Sequence, residues 1–123
     1  MSRVANFVSF TRQRYNLCMY WVYVLECSDD KSESRVASPR ALRDWYIGYT
    51  SDLDKRLMEH NAGYGSKTTS RKINAQQRGG TLRWKRIYCE GYLDIRDAKG
   101  REMFLKSGAG RRFLKKQLKN YLI

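Results

Sequence analysis

Cysteine is scarce in this chain, acids are outnumbered, and no long apolar run occurs. The three cysteines, Cys18, Cys27 and Cys89, are odd in number and form no C-x-x-C pair, which argues against a disulfide framework and against a zinc module. A reducing cytoplasm fits such a set. No stretch approaches the roughly 18 consecutive apolar residues of a membrane span, and the opening MSRVANFVSFTRQRYNL lacks the apolar core of a secretory signal. Residues 1–19 are therefore expected to form a loosely ordered extension, with a transit peptide as the alternative and Met19 as a second candidate start. Asp and Glu number 12 against 25 Lys and Arg, a formal charge of +13. That excess goes beyond what solubility requires, and it points to a polyanionic partner, nucleic acid being the commonest. It is also concentrated: residues 62–93 carry seven Lys and Arg against the single acid Glu90. A solvated surface of mixed sign would not show that bias.

What is present organises itself as one domain, since 123 residues can bury a single core but not two. YWVYVLEC (20–27) and DWYIGYT (44–50) are aromatic and β-branched and read as neighbouring antiparallel strands. The polar segment 28–43 between them holds the only proline, Pro39, and is too long for a hairpin loop. It reads as a mobile insertion, with a substrate-contacting flap as the alternative. A helix follows, with Ser51 as the expected N-cap and Leu53, Arg56, Leu57 and His60 recurring at i, i+3, i+4 and i+7 before Asn-Ala-Gly ends it. Arg56 and His60 thus border the face turned toward the sheet.

The Gly-, Ser- and Thr-rich segment 62–80 suits a loop or short helix lying against phosphates. TLRWKRIYCEGY (81–92) alternates as a third strand, with Leu82, Trp84 and Tyr88 on one parity and Ile87 and Cys89 on the other. In the next helix Ile95, Ala98, Glu102 and Leu105 share one arc, which turns a lone carboxylate inward. Gly108 and Gly110 break that pattern, and RRFLKKQLKNYL forms a last helix with Phe113, Leu114, Leu118 and Tyr121 inward. The expected fold is α+β, a small three-stranded antiparallel sheet flanked by helices in the order β-β-α-β-α-α, a single domain over residues 20–123.

At this point the residues resemble a known family. Trp21-Val22-Tyr23 is similar to the first triplet of the GIY-YIG nuclease superfamily, and Tyr46-Ile47-Gly48 repeats its second triplet letter for letter. Arg56, the His60-Asn61 pair and the late Glu102 follow in that family's order. The resemblance covers residues 20–107, and within the superfamily it is nearest to the stand-alone bacterial branch and the structure-specific junction nucleases. Trp21 in place of glycine and the length of the 28–43 insertion are its departures.

The resemblance implies a metal-dependent DNA endonuclease that hydrolyses phosphodiester bonds in repair, recombination or mobile-element processing. Its substrate is expected to be a flap, a nick or a branched duplex. Such a reaction needs an activated water, stabilisation of a crowded, highly charged phosphorus centre, and help for the leaving 3′ oxygen. By resemblance, Tyr23 activates or orients the water and Arg56 holds the non-bridging oxygens. Glu102 binds one divalent cation, Mg²⁺ or Mn²⁺, while Tyr46 and His60 complete the catalytic cluster. Lys67, Arg71, Lys72, Lys106, Arg111, Arg112 and Lys115 are the expected nucleic-acid contacts. Each residue also has a plainer reading. Tyr23 and Tyr46 can be core tyrosines, His60 a charged histidine favoured by a helix C-terminus, and Glu102 a surface partner of Lys106. For the whole chain, the alternative is a basic nucleic-acid-binding protein without catalysis, and no membrane partner is expected.

Overall fold

In the computed structural model, residues 19–29, 45–74 and 82–123 are described. Most of the expected extension (1–18), most of the expected insertion (30–43) and residues 75–81 lie outside the described residues. Three strands, β1 (Tyr20–Asp29), β2 (Trp45–Thr50) and β3 (Leu82–Tyr92), form one antiparallel sheet in the order β2-β1-β3. The helices are α1 (Leu53–Ala62) and α2 (Lys67–Asn74) before β3, then α3 (Ile95–Lys106) and α4 (Gly108–Gln117) after it. The expected α+β sheet with flanking helices is thus observed. The segment left between loop and short helix contains α2, so the order is β-β-α-α-β-α-α.

Alternation along β1 divides the core in two. Val22 and Val24 turn to one face and, with Trp45 and Ile47 of β2, pack on Ala98, Leu105 and Leu114 of α3 and α4. Tyr23, Leu25 and Cys27 turn to the other face, where Trp84, Tyr46, Leu53, Leu57 and Ile73 cover them. Each face is therefore sealed by two helices, the arrangement that a central strand buried on both sides requires. Polar groups lock the layers together. On the α3 side, Glu90 accepts a bidentate pair from Arg101, at 2.8 and 3.0 Å, as well as the hydroxyls of Tyr88 and Tyr92. Burial alone would raise the Glu90 pKa, but these donors outweigh it and hold the carboxyl below its ordinary value. Buried Glu26 likewise accepts from Trp45 Nε1 and the Tyr121 hydroxyl.

Four local expectations are corrected. Asp52, not Ser51, caps α1, its carboxylate accepting from Lys55 N at 3.1 Å. Both residues can cap, and the chain turns one residue later because the Thr50 hydroxyl accepts from Asp52 N. Trp84 and Tyr88 do not share a face: the pairing passes from Val24↔Tyr88 to Leu25↔Arg86, so Ile87 is an extra residue that reverses the parity of β3. Trp84 consequently joins the Tyr23 face, and Ile87 and Tyr88 join the Val24 face. Ile95, the first residue of α3, is exposed rather than inward. Finally, Gly108 and Gly110 do not interrupt helix: only Ser107 separates α3 from α4, and its hydroxyl accepts from Gly110 N. A side chain at Gly110 would sit 2.0 Å from the Phe104 carbonyl, so the missing Cβ permits the close approach of the two helices.

Candidate active site

Strand β1 carries Tyr23 on the face roofed by α1, and β2 places Tyr46 on the same face one strand over, since Tyr46 pairs with Leu25 and Gly48 with Tyr23. A Cβ on Gly48 would lie 2.6 Å from the Tyr23 hydroxyl oxygen and 3.1 Å from the Tyr46 ring. The glycine is thus a notch into which the Tyr23 head fits. From above, one turn of α1 brings Arg56 and His60 down on the two rings. His60 is fully buried, its ring centroid 4.9 Å from that of Tyr46, and its Nε2 lies 2.8 Å from the Tyr23 hydroxyl. Arg56 is fixed by Nη1 donating to Glu59 at 3.0 Å and Nη2 donating to the Gly65 carbonyl at 2.7 Å.

These groups open on a cleft of about 600 Å³ whose walls include Tyr23, Tyr46, Tyr49, Arg56, Glu59 and Glu102. It lies at the edge strand β2, where side chains of both faces meet: Glu102 comes from α3, on the opposite side of the sheet from Tyr23. All five expected catalytic positions therefore converge, and four of them line the cleft itself. His60 stands behind Tyr23. Glu102 is largely inward, with 16% side-chain exposure, and it is also paired with Lys106 Nζ at 3.5 Å. The inward position and the ion pair, taken as alternatives from the sequence, coexist.

Burial pushes the Tyr23 hydroxyl up to about 12, with the neighbouring Arg56 guanidinium pulling the other way and Tyr46 and Glu102 adding to the rise. Burial together with Arg56 pushes His60 down to about 4. That direction favours a neutral imidazole at neutral pH, although His60 does lie in the last turn of α1. With the proton on Tyr23 and the imidazole neutral, the pair is an uncharged hydrogen bond.

Among the described residues, no three His, Cys, Asp or Glu side chains gather to hold a metal. Of the carboxylates that line the cleft, Asp52 caps α1, Glu59 is paired with Arg56 at 3.0 Å, and Glu102, the expected ligand, is paired with Lys106 at the longer distance of 3.5 Å. One hard oxygen donor beside open volume suits a cation such as Mg²⁺ or Mn²⁺, which keeps most of its waters and takes its other ligands from a phosphate. The donor set fits that expectation.

The expected nucleic-acid contacts separate into groups. Lys67 and Arg71 are exposed on α2, on the Tyr23 side of the sheet. Arg111, Arg112 and Lys115 are exposed on α4, on the opposite side. Lys106 is drawn to Glu102 beside the cleft, and the side chain of Lys72 lies outside the described residues. Two residues support the site, one of them, Thr69, missed by the sequence reading. Thr69, fully buried, places its hydroxyl 2.6 Å from His60 Nδ1, and Asn61 bonds both backbone groups of Trp84. Asn61 was named in the sequence only as part of the His60-Asn61 pair, without a role, and nothing in a run of Thr, Thr and Ser singles out Thr69.

A family profile described as the GIY-YIG catalytic domain matches residues 19–115. A UPF0213 protein of Streptococcus pneumoniae is 33% identical over 86 residues, covering 70% of this chain and 65% of that protein. A UPF0213 protein of Clostridium perfringens is 32% identical over 88 residues, 72% of this chain and 71% of its own length. Another, from Halobacterium salinarum, is 43% identical over 51 residues, 42% of this chain and 49% of the relative. The chain spans 65% of the two pneumococcal relatives and 39% of a Lactococcus lactis one. No solved structure matches it significantly. Among the described residues no helix is long and apolar enough to cross a membrane.

Proposed function

The chain belongs to the GIY-YIG catalytic-domain family, and on that premise we propose that it is a DNA endonuclease acting on branched, flapped or nicked duplex with the help of one divalent cation. The observation that carries this reading is the Tyr23–His60 hydrogen bond of 2.8 Å, set in a cleft shared with Arg56 and Glu102. In the proposed reaction a phosphodiester lies in the cleft with a non-bridging oxygen against Arg56, whose planar fork is already oriented by Glu59 and Gly65. An attacking water gives a proton to the Tyr23 oxygen as the Tyr23 hydroxyl proton moves to His60 Nε2. The water oxygen bonds to phosphorus as the P–O3′ bond breaks, and the 3′ oxygen leaves with that electron pair and takes a proton from solvent. The net transfer is of the water's proton to His60, with Tyr23 left as a phenol, so the phenol oxygen is the group that touches the water and the imidazole is the final acceptor. Glu102 would hold Mg²⁺ or Mn²⁺, which when bound supplies Lewis-acid stabilisation of the charge on the phosphate. The basic helices α2 and α4 supply the contacts to the polyanion.

The test is incubation of the purified chain with labelled linear duplex, single strand, flap and junction, with and without Mg²⁺ or Mn²⁺. Cation-dependent cleavage that favours the discontinuous substrates is expected. Glu102→Ala should abolish cleavage while DNA affinity stays equal or rises slightly, because a repulsive charge leaves with the ligand. Binding by the wild type without cleavage of any substrate would instead establish the non-catalytic reading.

A further inference from the structure

Thr69 lies in the first turn of α2, fully buried, and its hydroxyl meets four groups, the most distant being the Ser66 carbonyl at 3.4 Å. His60 Nδ1 is at 2.6 Å, the Ser66 hydroxyl at 3.0 Å, and the Ser66 N–H, which donates to it, at 3.2 Å. Ser66 Oγ accepts in turn from Thr69 N at 3.1 Å, so the two residues cap α2 together and pin the threonine hydroxyl in place. A hydroxyl has one proton and two lone pairs, and the Ser66 N–H occupies one lone pair.

Two arrangements of the imidazole remain. In the first, Nδ1–H donates to the second lone pair of Thr69, whose own proton turns to the Ser66 hydroxyl or to the Ser66 carbonyl at 3.4 Å. Nε2 then offers a bare lone pair to the Tyr23 hydroxyl. In the second, Thr69 donates to Nδ1, and Nε2–H points at the Tyr23 oxygen. The surroundings of Tyr23 decide between them. Its cationic neighbour Arg56 has donors only, so in the second arrangement donors converge on the phenol oxygen while its own proton loses the imidazole as acceptor. In the first arrangement every donor and acceptor along Ser66, Thr69, His60 and Tyr23 is matched.

We infer that Thr69 is a positioning residue that fixes His60 as the Nδ1–H tautomer, leaving Nε2 free to receive the Tyr23 proton. The role rests on the proposed use of Tyr23 in catalysis, but the tautomer can be measured without any substrate. His60 is the only histidine of the chain, so protein labelled with ¹⁵N-histidine gives one imidazole. Long-range ¹H–¹⁵N correlation at neutral pH should show Nδ1 protonated and Nε2 unprotonated in the wild type. Thr69→Val keeps the shape and removes the hydroxyl, so the ring should pass to Nε2–H or to a mixture, and Thr69→Ser should restore the original pattern. In cleavage assays Thr69→Val should lower kcat by about 10- to 100-fold, in the range of groups that orient a reacting histidine. The DNA Kd should be unchanged, and the serine variant should recover most of the loss.

A wild-type spectrum with Nε2 protonated overturns the inference outright, with no variant needed. So does a folded Thr69→Val that keeps the Nδ1–H tautomer. Should the wild type cleave nothing, the endonuclease reading fails by itself, and the spectra still decide the role of Thr69.

Discussion

Single residues in this cleft are constrained by contact distances more than by polarity. Gly48 shows it most directly: a methyl group there would overlap the Tyr23 hydroxyl at 2.6 Å and Cζ at 2.8 Å. Gly48→Ala should therefore displace the tyrosine head from His60, costing about 1–3 kcal/mol in a denaturant titration, the usual range for overpacking a core. Cleavage should fall together with stability, and an unchanged midpoint would show that the notch has room to spare. His60 makes a prediction of a different kind. Its folded pKa of about 4 lies below the ordinary value of 6.5, so between those pH values the unfolded chain binds a proton that the folded chain does not. The stabilisation is fully present above pH 6.5 and is lost as pH falls toward 4, at a rate of up to about 1.4 kcal/mol per pH unit. Compared with His60→Gln, the wild type should lose stability more steeply from pH 6.5 down to 4.5, measured by urea unfolding. Parallel curves for the two proteins would mean that the imidazole is not held neutral. Tyr23, Tyr46, Arg56, His60 and Glu102 were all legible in the sequence: helix period turns Arg56, His60 and Glu102 toward the sheet, and the family resemblance picks out the five together. Thr69 was not: its importance depends on α2 docking beneath α1, a tertiary event that composition does not announce.

At the scale of elements, α1 does most of the positioning, and Asn61 decides where it sits. Its side-chain amide donates to the Trp84 carbonyl at 2.9 Å and accepts from the Trp84 N–H at 2.7 Å, imitating a neighbouring strand at the open edge of β3. The Trp84 indole then reaches the Thr69 carbonyl at 3.3 Å, so α1, α2 and β3 form one unit around His60. Asn61→Ala removes both backbone partners at once and should destabilise by about 1–3 kcal/mol. Hydrogen exchange should show the Trp84 amide losing protection first, and retention of that protection would place the strength of the joint elsewhere. The strands and the three longer helices could be read from period and punctuation. The parity of β3 could not, since the bulge at Ile87 leaves the apolar alternation of LRWKRIYCEGY outwardly intact. Nor could the start of α4: its two glycines look like a break until the approach of Gly110 to Phe104 is seen.

For the whole molecule, the question is how a charge of +13 is laid around a three-layer body whose cleft opens at one sheet edge. The acid-free stretch from 103 to 123 gives α4 the exposed cations Arg111, Arg112, Lys115 and Lys116, while α2 exposes Lys67 and Arg71 across the sheet. The sequence made both segments visibly basic but could not say that they lie on opposite faces, because that depends on β1 alternating between two buried sides. On the proposed preference for branched substrates, a straight duplex lies along one helical layer, whereas two arms meeting at the β2 edge engage both. On linear duplex, then, only one of two double variants, Lys67→Gln with Arg71→Gln or Arg112→Gln with Lys115→Gln, should flatten the dependence of log K on log salt. The slope should shrink by about 0.9 for each phosphate that the variant no longer neutralises, roughly 1.8 for a pair that is fully engaged. On a branched substrate both double variants should flatten it. Binding titrations from low to moderate salt on the two DNAs measure this directly. If the second pair proves silent on branched DNA as well, α4 is a solvated basic face, and the proposed preference for branched substrates must come from the cleft alone.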